Sequence, residues 1–451
     1  MHFDLVIKNG TIISPEESFS GDIGVVDGRI AFVGKLDDSC AADEIYDAKG
    51  LHVLPGIIDA HVHFRDPGLT EKEDFETGSI AAAFGGVTCA ADMPNVIPVT
   101  STAERFNEKV KIAKDKSYID FGLFALLAND NINEMEELKN SGALGFKVFL
   151  GTSTGDVACP SPGVLFEQMQ LCAKLGLRAG FHCENSELNS YFTSLCKNIS
   201  GSHRAEKNDG LLLADARPVI SEALAIQTAV TYAKYTNAKI HIHHITSIDG
   251  VQIIAEAKKN GLNITSETCP HYLLLDAASS THRVYPPIRE QIHRQGLMKA
   301  LTGNPERTID MIATDHAPHS ASDKALPLWD APAGLAGVET FVPLMLNEVN
   351  KGSFSLNDFA RLASVVPAKI WGIYPQKGSL QTGTDADFTI VDMNKKTKIL
   401  AEALHSKSKT SPYDGMEVQG IPVATIVRGK FVMKDGELTG VKGYGELVTP
   451  Y

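Results

Sequence analysis

Two histidines stand one residue apart in His61-Val62-His63, at the end of an apolar run that begins at Ile57. Residues i and i+2 of a strand share a face, so both imidazoles can meet one ion. A lone pair of this kind is more simply read as two solvated histidines. Four further segments change that balance. Lys147 lies inside Gly145-Phe-Lys-Val-Phe149, His182 ends Gly180-Phe-His-Cys183, His244 ends Ile240-His-Ile-His-His-Ile245, and Asp315 ends Ile312-Ala-Thr-Asp-His316. Five candidate strands thus carry a metal-ligand type of residue. Strict alternation cannot choose between His243 and His244, since one of two consecutive strand residues faces in and the other out. Lys147 has apolar neighbours on both sides, which implies burial. An unpaired ammonium is costly there, so the amine tends to lose its charge. A neutral amine can react with CO₂ to give a carbamate, an anionic two-oxygen ligand suited to bridging two divalent ions.

The elements that must position these groups are legible between Pro55 and about residue 372. Candidate strands cover 57–63, 87–92, 119–126, 145–149, 178–182, 239–245, 262–267 and 309–314, with amphipathic helices at 102–116, 163–175, 218–235 and 247–260 between them. Strand and helix in alternation imply parallel pairing. Eight such units fit an α/β fold of the (β/α)₈ TIM-like barrel kind, in which the ligand-type residues share the C-terminal rim where active sites assemble. A dinucleotide-binding sheet has little support, because no GxGxxG follows the first central strand. The two chain ends differ from the middle. Short β-branched runs alternate there with Asn9-Gly10, Asp27-Gly28, Arg428-Gly429 and Asp435-Gly436, the punctuation of hairpins. Neither end has strands enough for its own core. The expectation is a bipartite β-sandwich domain from residues 1–54 plus 373–451, interrupted by the barrel at 55–372.

Composition narrows the setting. The 451 residues carry 42 Lys and Arg against 55 Asp and Glu, a net charge of -13 that works against nucleic acid and anionic membrane as partners. No apolar run approaches the ~18 residues of a membrane span, and the first residues do not form a cleavable signal, so the expected address is cytoplasmic. Seven scattered cysteines without a CxxC pair indicate neither a disulfide framework nor a zinc finger. The partner expected is a small molecule, with assembly into a homo-oligomer left open. An anionic one would need a local cationic anchor, and Arg65, two residues beyond His63, has the planar fork that matches a carboxylate.

Taken together these segments resemble the amidohydrolase superfamily of binuclear metal barrels, in its cyclic amidohydrolase branch, and within it the dihydroorotases. The carriers are Leu54-Pro-Gly-Ile-Ile-Asp-Ala-His-Val-His-Phe-Arg-Asp-Pro-Gly68, Asp92-Met-Pro-Asn95, Gly145-Phe-Lys147, Phe181-His182, His244-Ile-Thr-Ser247, Thr314-Asp-His-Ala-Pro-His319 and Gly383-Thr-Asp-Ala-Asp-Phe388, spread over almost the whole chain. The resemblance implies two divalent metal ions, commonly Zn²⁺. His61 and His63 would hold the more buried one with Asp315, His182 and His244 the second, and carboxylated Lys147 would bridge both. It is this similarity that selects His244. A hydroxide shared by the two metals would attack a ring carbonyl, with Asp315 passing its proton to the leaving nitrogen. The implied reaction is the reversible cyclisation of N-carbamoyl-L-aspartate to L-dihydroorotate in pyrimidine biosynthesis. Arg65, Asn95 and His319 would bind the substrate carboxylate, and the Ala333-Gly334 backbone the ring amide. His316 and His271 are expected to pack or to support the ligands from behind rather than to ligate.

Two departures stand out. Dihydroorotases generally have Asn before their paired prolines, where this chain has Tyr285-Pro-Pro-Ile-Arg289. Many bacterial relatives carry Asp at the bridge, whereas Lys147 resembles hydantoinases, allantoinases and animal dihydroorotases; Asp156 is a weaker alternative bridge. The runner-up activity is therefore allantoinase or dihydropyrimidinase/hydantoinase, and a non-catalytic scaffold is the reading from another class.

Overall fold

Segments that are apolar throughout form strands covered on both faces, and in the central chain they do so in parallel. A computed structural model describes residues 2–37, 40–151, 157–198, 207–303 and 307–451. Asp156 lies outside these. The central strands are β6 (Ile57–Val62), β7 (Val87–Asp92), β8 (Asp120–Leu123), β9 (Ala125–Leu126), β10 (Phe146–Phe149), β11 (Ala179–His182), β12 (Ile240–Ile242), β13 (Ile264–Thr268) and β14 (Met311–Ile312). β6 to β8 form one parallel sheet and β9 to β14 another. The expected third strand, 119–126, is thus broken at Phe124, whose N–H donates to Asp92 O at 3.0 Å. On the other side, a bridge between Val62 and His316 brings the segment after β14 back to β6. The result is a parallel, barrel-like core.

The helices between these strands begin where the sequence supplies a cap. Thr102 accepts from Arg105 N before Ala103–Lys116, Asn185 from Leu188 N before Ser186–Lys197, and Ser247 from Gly250 N before Ile248–Lys259. The latter two start within a few residues of the C-terminal ends of β11 and β12, so that part of the rim is fixed by short, capped turns. Gly176 and Asn237 close Pro162–Leu175 and Val219–Thr236 with left-handed backbone. No helix among the described residues is long and apolar enough to cross a membrane.

Both chain ends supply one mixed sheet packed as a β-sandwich: β1 (His2–Ile13), β2 (Ser18–Val26), β3 (Arg29–Gly34), β4 (Ala41–Asp47), β5 (His52–Pro55), β15 (Phe388–Lys398), β16 (Glu417–Val427), β17 (Lys430–Lys434) and β18 (Glu437–Leu438). β5 is the seam, parallel to β1 at Thr11 and His52 and antiparallel to β15 at Phe388 and Pro55. Leu5, Ile7, Ile23, Val25 and Val53 share a core with Phe388, Ile390 and Ile426. One punctuation mark differs from expectation. Asn9-Gly10 is no hairpin turn but a bulge inside β1, between Ile7 and Gly10 of its ladder with β2. Asn9 takes φ 59°, and any side chain at position 10 would meet Val53 Cγ2 at 2.8 Å.

Barrel and sandwich meet over a buried charge cluster. Lys377 Nζ pairs with Asp387 at 2.7 Å, Asp385 at 2.9 Å and Asp120, while Arg428 also reaches Asp120. Asp120 belongs to β8, so the cluster joins the barrel to the chain that leads into β15.

Candidate active site

His61 lies in β6, and its neighbours in space come from strands far away in sequence. Its Nδ1 is 2.5 Å from Glu267 Oε1 on β13, which leaves Nε2 facing Asp315 Oδ1 at 3.4 Å. His63, just past β6, is held the same way. Its Nδ1 is 2.8 Å from Asn95 Oδ1 and its Nε2 is 3.0 Å from Asp315 Oδ1. His182, the last residue of β11, has Nε2 at 3.0 Å from Glu184 Oε2 and Nδ1 at 2.9 Å from His244 Nε2. In each of these three rings one nitrogen is fixed by an outer acceptor and the other points inward, the arrangement that orients metal-ligating imidazoles. Donor atoms of His61, His244 and Asp315 all lie within 4.8 Å of one another.

Electrostatics prepare the same atoms. Burial lowers the pKa of His61, His63, His182 and His244, so each ring is neutral at neutral pH and has one unprotonated nitrogen to offer. Against burial, which would raise it, His61 and His63 hold the Asp315 carboxyl well below its ordinary range. Lys147, on β10, is 1% exposed and makes no ion pair among the described residues; its Nζ sits 5.1 Å from the Phe149 ring centroid. Burial pulls its pKa down to about 8, opposed by Asp315 and Glu267. Neutral imidazoles, an ionised carboxylate and a readily neutralised amine form a nitrogen and oxygen donor set that suits divalent metal. Three of these neighbours have left-handed backbone: Arg65 at φ 62°, His244 at φ 37° and Asp315 at φ 48°. Strain of this kind concentrates at functional sites.

That backbone corrects one expectation. His243 and His244 both face the interior, because His244 lies beyond the end of β12 and its positive φ breaks the alternation. His243 Nδ1 is 2.9 Å from Glu267 and its ring stacks on Trp371, while His244 turns to His182. A second cluster of possible donors, His61, His243 and Glu267, follows from this. Here Glu267 accepts from His61, His241 and His243 at once, so its oxygens are already taken by hydrogen bonds.

Arg65, Asn95, Asp315, Ala333 and Gly334 line one small cavity of ≈ 20 Å³ together with Tyr285. The Arg65 guanidinium is buried, with Nε and Nη1 lacking a hydrogen-bond partner among the described residues and Nη2 at 3.4 Å from His319 Nε2. His319 meanwhile donates to Ala333 O at 2.9 Å, so it braces the wall on which Arg65 rests. His316 packs as expected, its Nδ1 accepting from Gly337 N and Val338 N, and His271 lies against Tyr272. Sequence reading missed Glu184, Arg217 and Glu267. Glu184 carried a visible signal, two residues after His182. Glu267 sits in a strand with Thr265 and Thr268, unremarkable until the fold brings it under His61.

Comparison with known proteins decides the family. Residues 52–432 match the model of the amidohydrolase family. The chain belongs to the amidohydrolase family. Within it, this amidohydrolase is 35% identical to the L-hydantoinase of Paenarthrobacter aurescens, over 99% of its own length and 98% of that protein's. It is 34% identical to the dihydroorotase of Methanothermobacter thermautotrophicus (99% and 97%) and 34% to the allantoinase of Deinococcus radiodurans (100% and 99%). The solved L-hydantoinase from Arthrobacter aurescens superposes with a TM-score of 0.94, covering 99% of this chain and all of that one at 34% identity. The amidohydrolase thus falls in the cyclic-amide branch of its family, and these likenesses do not divide its three named activities.

Proposed function

We propose that this amidohydrolase opens, and in the reverse direction closes, the amide bond of a cyclic ureide. The observation that carries this reading is the convergence at one rim of Asp315 between His61 and His63, of His182 on His244, and of a buried Lys147 with no ion pair among the described residues. Residues 55–372 form the hydrolase barrel on this reading. Two divalent ions held there, most simply zinc, would polarise the ring carbonyl and acidify the attacking water. His61, His63 and Asp315 would hold one, His182 and His244 the other, and Lys147, as its carbamate, would reach both. The remaining work belongs to the chain. Asp315, ionised and 7% exposed, accepts the water's proton at its carboxylate and returns it to the ring nitrogen as the amide bond breaks. Arg65, Asn95 and the Ala333-Gly334 backbone orient the ring.

For the ring itself, the likeness to hydantoinase and allantoinase and the Tyr in place of Asn at 285 support a neutral hydantoin, allantoin or dihydropyrimidine. One observation favours dihydroorotate as a second reading. The buried Arg65 has two donors without a partner among the described residues at the cavity wall, and a carboxylate would satisfy them. Hydantoin, allantoin, dihydrouracil and dihydroorotate assayed side by side test both. If dihydroorotate is the substrate, Arg65→Met costs it about 2–5 kcal/mol in kcat/KM and spares the neutral rings. An equal loss on every ring would make Arg65 structural, and turnover of none would end the cyclic-ureide reading.

A further inference from the structure

The cavity under Arg65 has room for about one water, and one of its walls is unusually rigid. The Tyr285 ring has two guanidiniums against it, with Arg217 Cζ 3.5 Å and Arg283 Cζ 5.1 Å from its centroid. Its hydroxyl accepts from Arg283 Nε at 3.0 Å. Both cations are themselves fixed. Arg217 donates Nε and Nη2 to Glu184 at 2.8 and 2.5 Å, and Glu184 is the carboxylate that holds His182. Arg283 donates Nη1 to Leu328 O at 2.8 Å and Ala331 O at 2.5 Å. Lys324, mostly buried, then ties Arg283 O, Pro332 O and Gly334 O together at 2.9 to 3.0 Å. An aromatic ring gripped on its face and at its tip cannot swing away as an exposed tyrosine would.

We propose that Tyr285 is the specificity-determining residue of this site: its fixed ring restricts the amidohydrolase to cyclic ureides with a compact substituent next to the reacting amide. The proposal rests on the cyclic-ureide reading and deepens it. A wall stacked on Arg217 at its face and hydrogen-bonded to Arg283 at its hydroxyl rejects extra volume sterically, since neither guanidinium nor the loop 332–334 can yield without breaking its own hydrogen bonds. The frame also means that the wall and the His182 side of the site are built as one piece, through Arg217 and Glu184.

The test compares a compact ring, hydantoin, with a bulky one, 5-benzylhydantoin, on the metal-loaded full chain. Binding is read by calorimetry and turnover by kcat/KM. Tyr285→Ala raises the bulky-to-compact ratio about tenfold or more, in affinity as well as turnover, on the scale that pocket volume is known to discriminate. Tyr285→Leu, which keeps an apolar filler against the two arginines, shifts the ratio in the same direction and covers the case in which the Ala protein does not fold. Tyr285→Phe keeps the ring on Arg217 but loses the hydroxyl's hydrogen bond with Arg283, so it moves the ratio in the same direction by less than Leu or Ala does. Unchanged ratios in both Ala and Leu proteins would overturn the proposal while leaving ring hydrolysis intact. A wild-type protein that neither binds nor hydrolyses any ring would overturn the proposal together with the reading beneath it.

Discussion

Lys147 at the barrel mouth and Lys377 at the junction with the sandwich are each 1% exposed, yet their surroundings drive them in opposite directions. Three carboxylates close on Lys377, and against burial, which would lower it, Asp387 and Asp385 hold its pKa above the ordinary lysine value. Lys147 has the Phe149 ring beside it and no ion pair among the described residues, and burial brings its pKa down to about 8 against the pull of Asp315 and Glu267. Burial alone therefore says nothing of what a lysine does. A cation with its counter-ions built in is a fastener. A cation denied them is chemically available, as an amine that can take up CO₂ and as a group whose neighbours await positive charge.

The sharpest way to break this contrast is to remove each amine in turn. Lys147→Met lowers turnover by about a thousandfold or more, the several kcal/mol that metal assistance supplies to such reactions. The same variant keeps or gains stability, because an apolar side chain of similar length replaces an unpaired buried amine. Elemental analysis shows the metal lost in step. Lys377→Met does the reverse. It leaves Asp120, Asp385 and Asp387 enclosed without their shared cation, costs about 3–5 kcal/mol in urea unfolding, and spares kcat at temperatures where the chain stays folded. If Lys377→Met lost activity without losing stability, the two lysines would not divide structure from chemistry as the geometry says.

A smaller effect tests whether the neutral surroundings of the site are themselves organised. Glu267→Gln keeps the shape of the side chain but cannot accept from His61, His241 and His243 together. Metal affinity then falls about 10- to 100-fold, the usual effect of losing such a supporting carboxylate. Dialysis against a graded chelator measures it. Unaltered affinity would reduce Glu267 to a packing residue beneath the site.

The same contrast explains how much of the molecule was readable from sequence. Eight central strands, their capped helices and the strands at both ends follow from apolar runs, alternation and turn dipeptides, all of which are local. His61, His63, Lys147, His182 and Asp315 were visible because each falls at or near a strand end, and the fold needs only closure to bring them together. What escaped is non-local or irregular. Glu267 is 206 residues from His61 and carries no signal until both strands are in one barrel. The inward turn of both His243 and His244 depends on one residue's positive φ, which no periodic rule contains. Asn9-Gly10 reads as a turn and is a bulge because Asp22 on the next strand accepts the Asn9 N–H.

The most gradual expected effect is in the pH dependence of stability, and there the two lysines differ in sign. In metal-free, CO₂-free protein, Lys147 has a folded pKa of about 8 against 10.5 for an ordinary lysine. Between those values the unfolded chain binds a proton that the folded chain does not, so this group makes stability rise with pH. Lys377 keeps its proton beyond 10.5 when folded and loses it earlier when unfolded. Its contribution is fully present below pH 10.5 and declines above. Neither effect can be read from the wild-type curve alone, because burial also draws Lys324 down to about 8 and pushes Cys89 and Cys172 up to about 12, so their folded and unfolded states differ in protons over the same range. Subtraction isolates them. The stability difference between wild type and Lys147→Met should climb from pH 8 to 10.5, at no more than about 1.4 kcal/mol per pH unit. The corresponding difference for Lys377→Met should stay level there and fall above pH 10.5. A Lys147 difference that is flat across its window would mean that the amine keeps an ordinary pKa. It would then have a counter-charge after all, and the barrel mouth would be fastened in the same way as the junction.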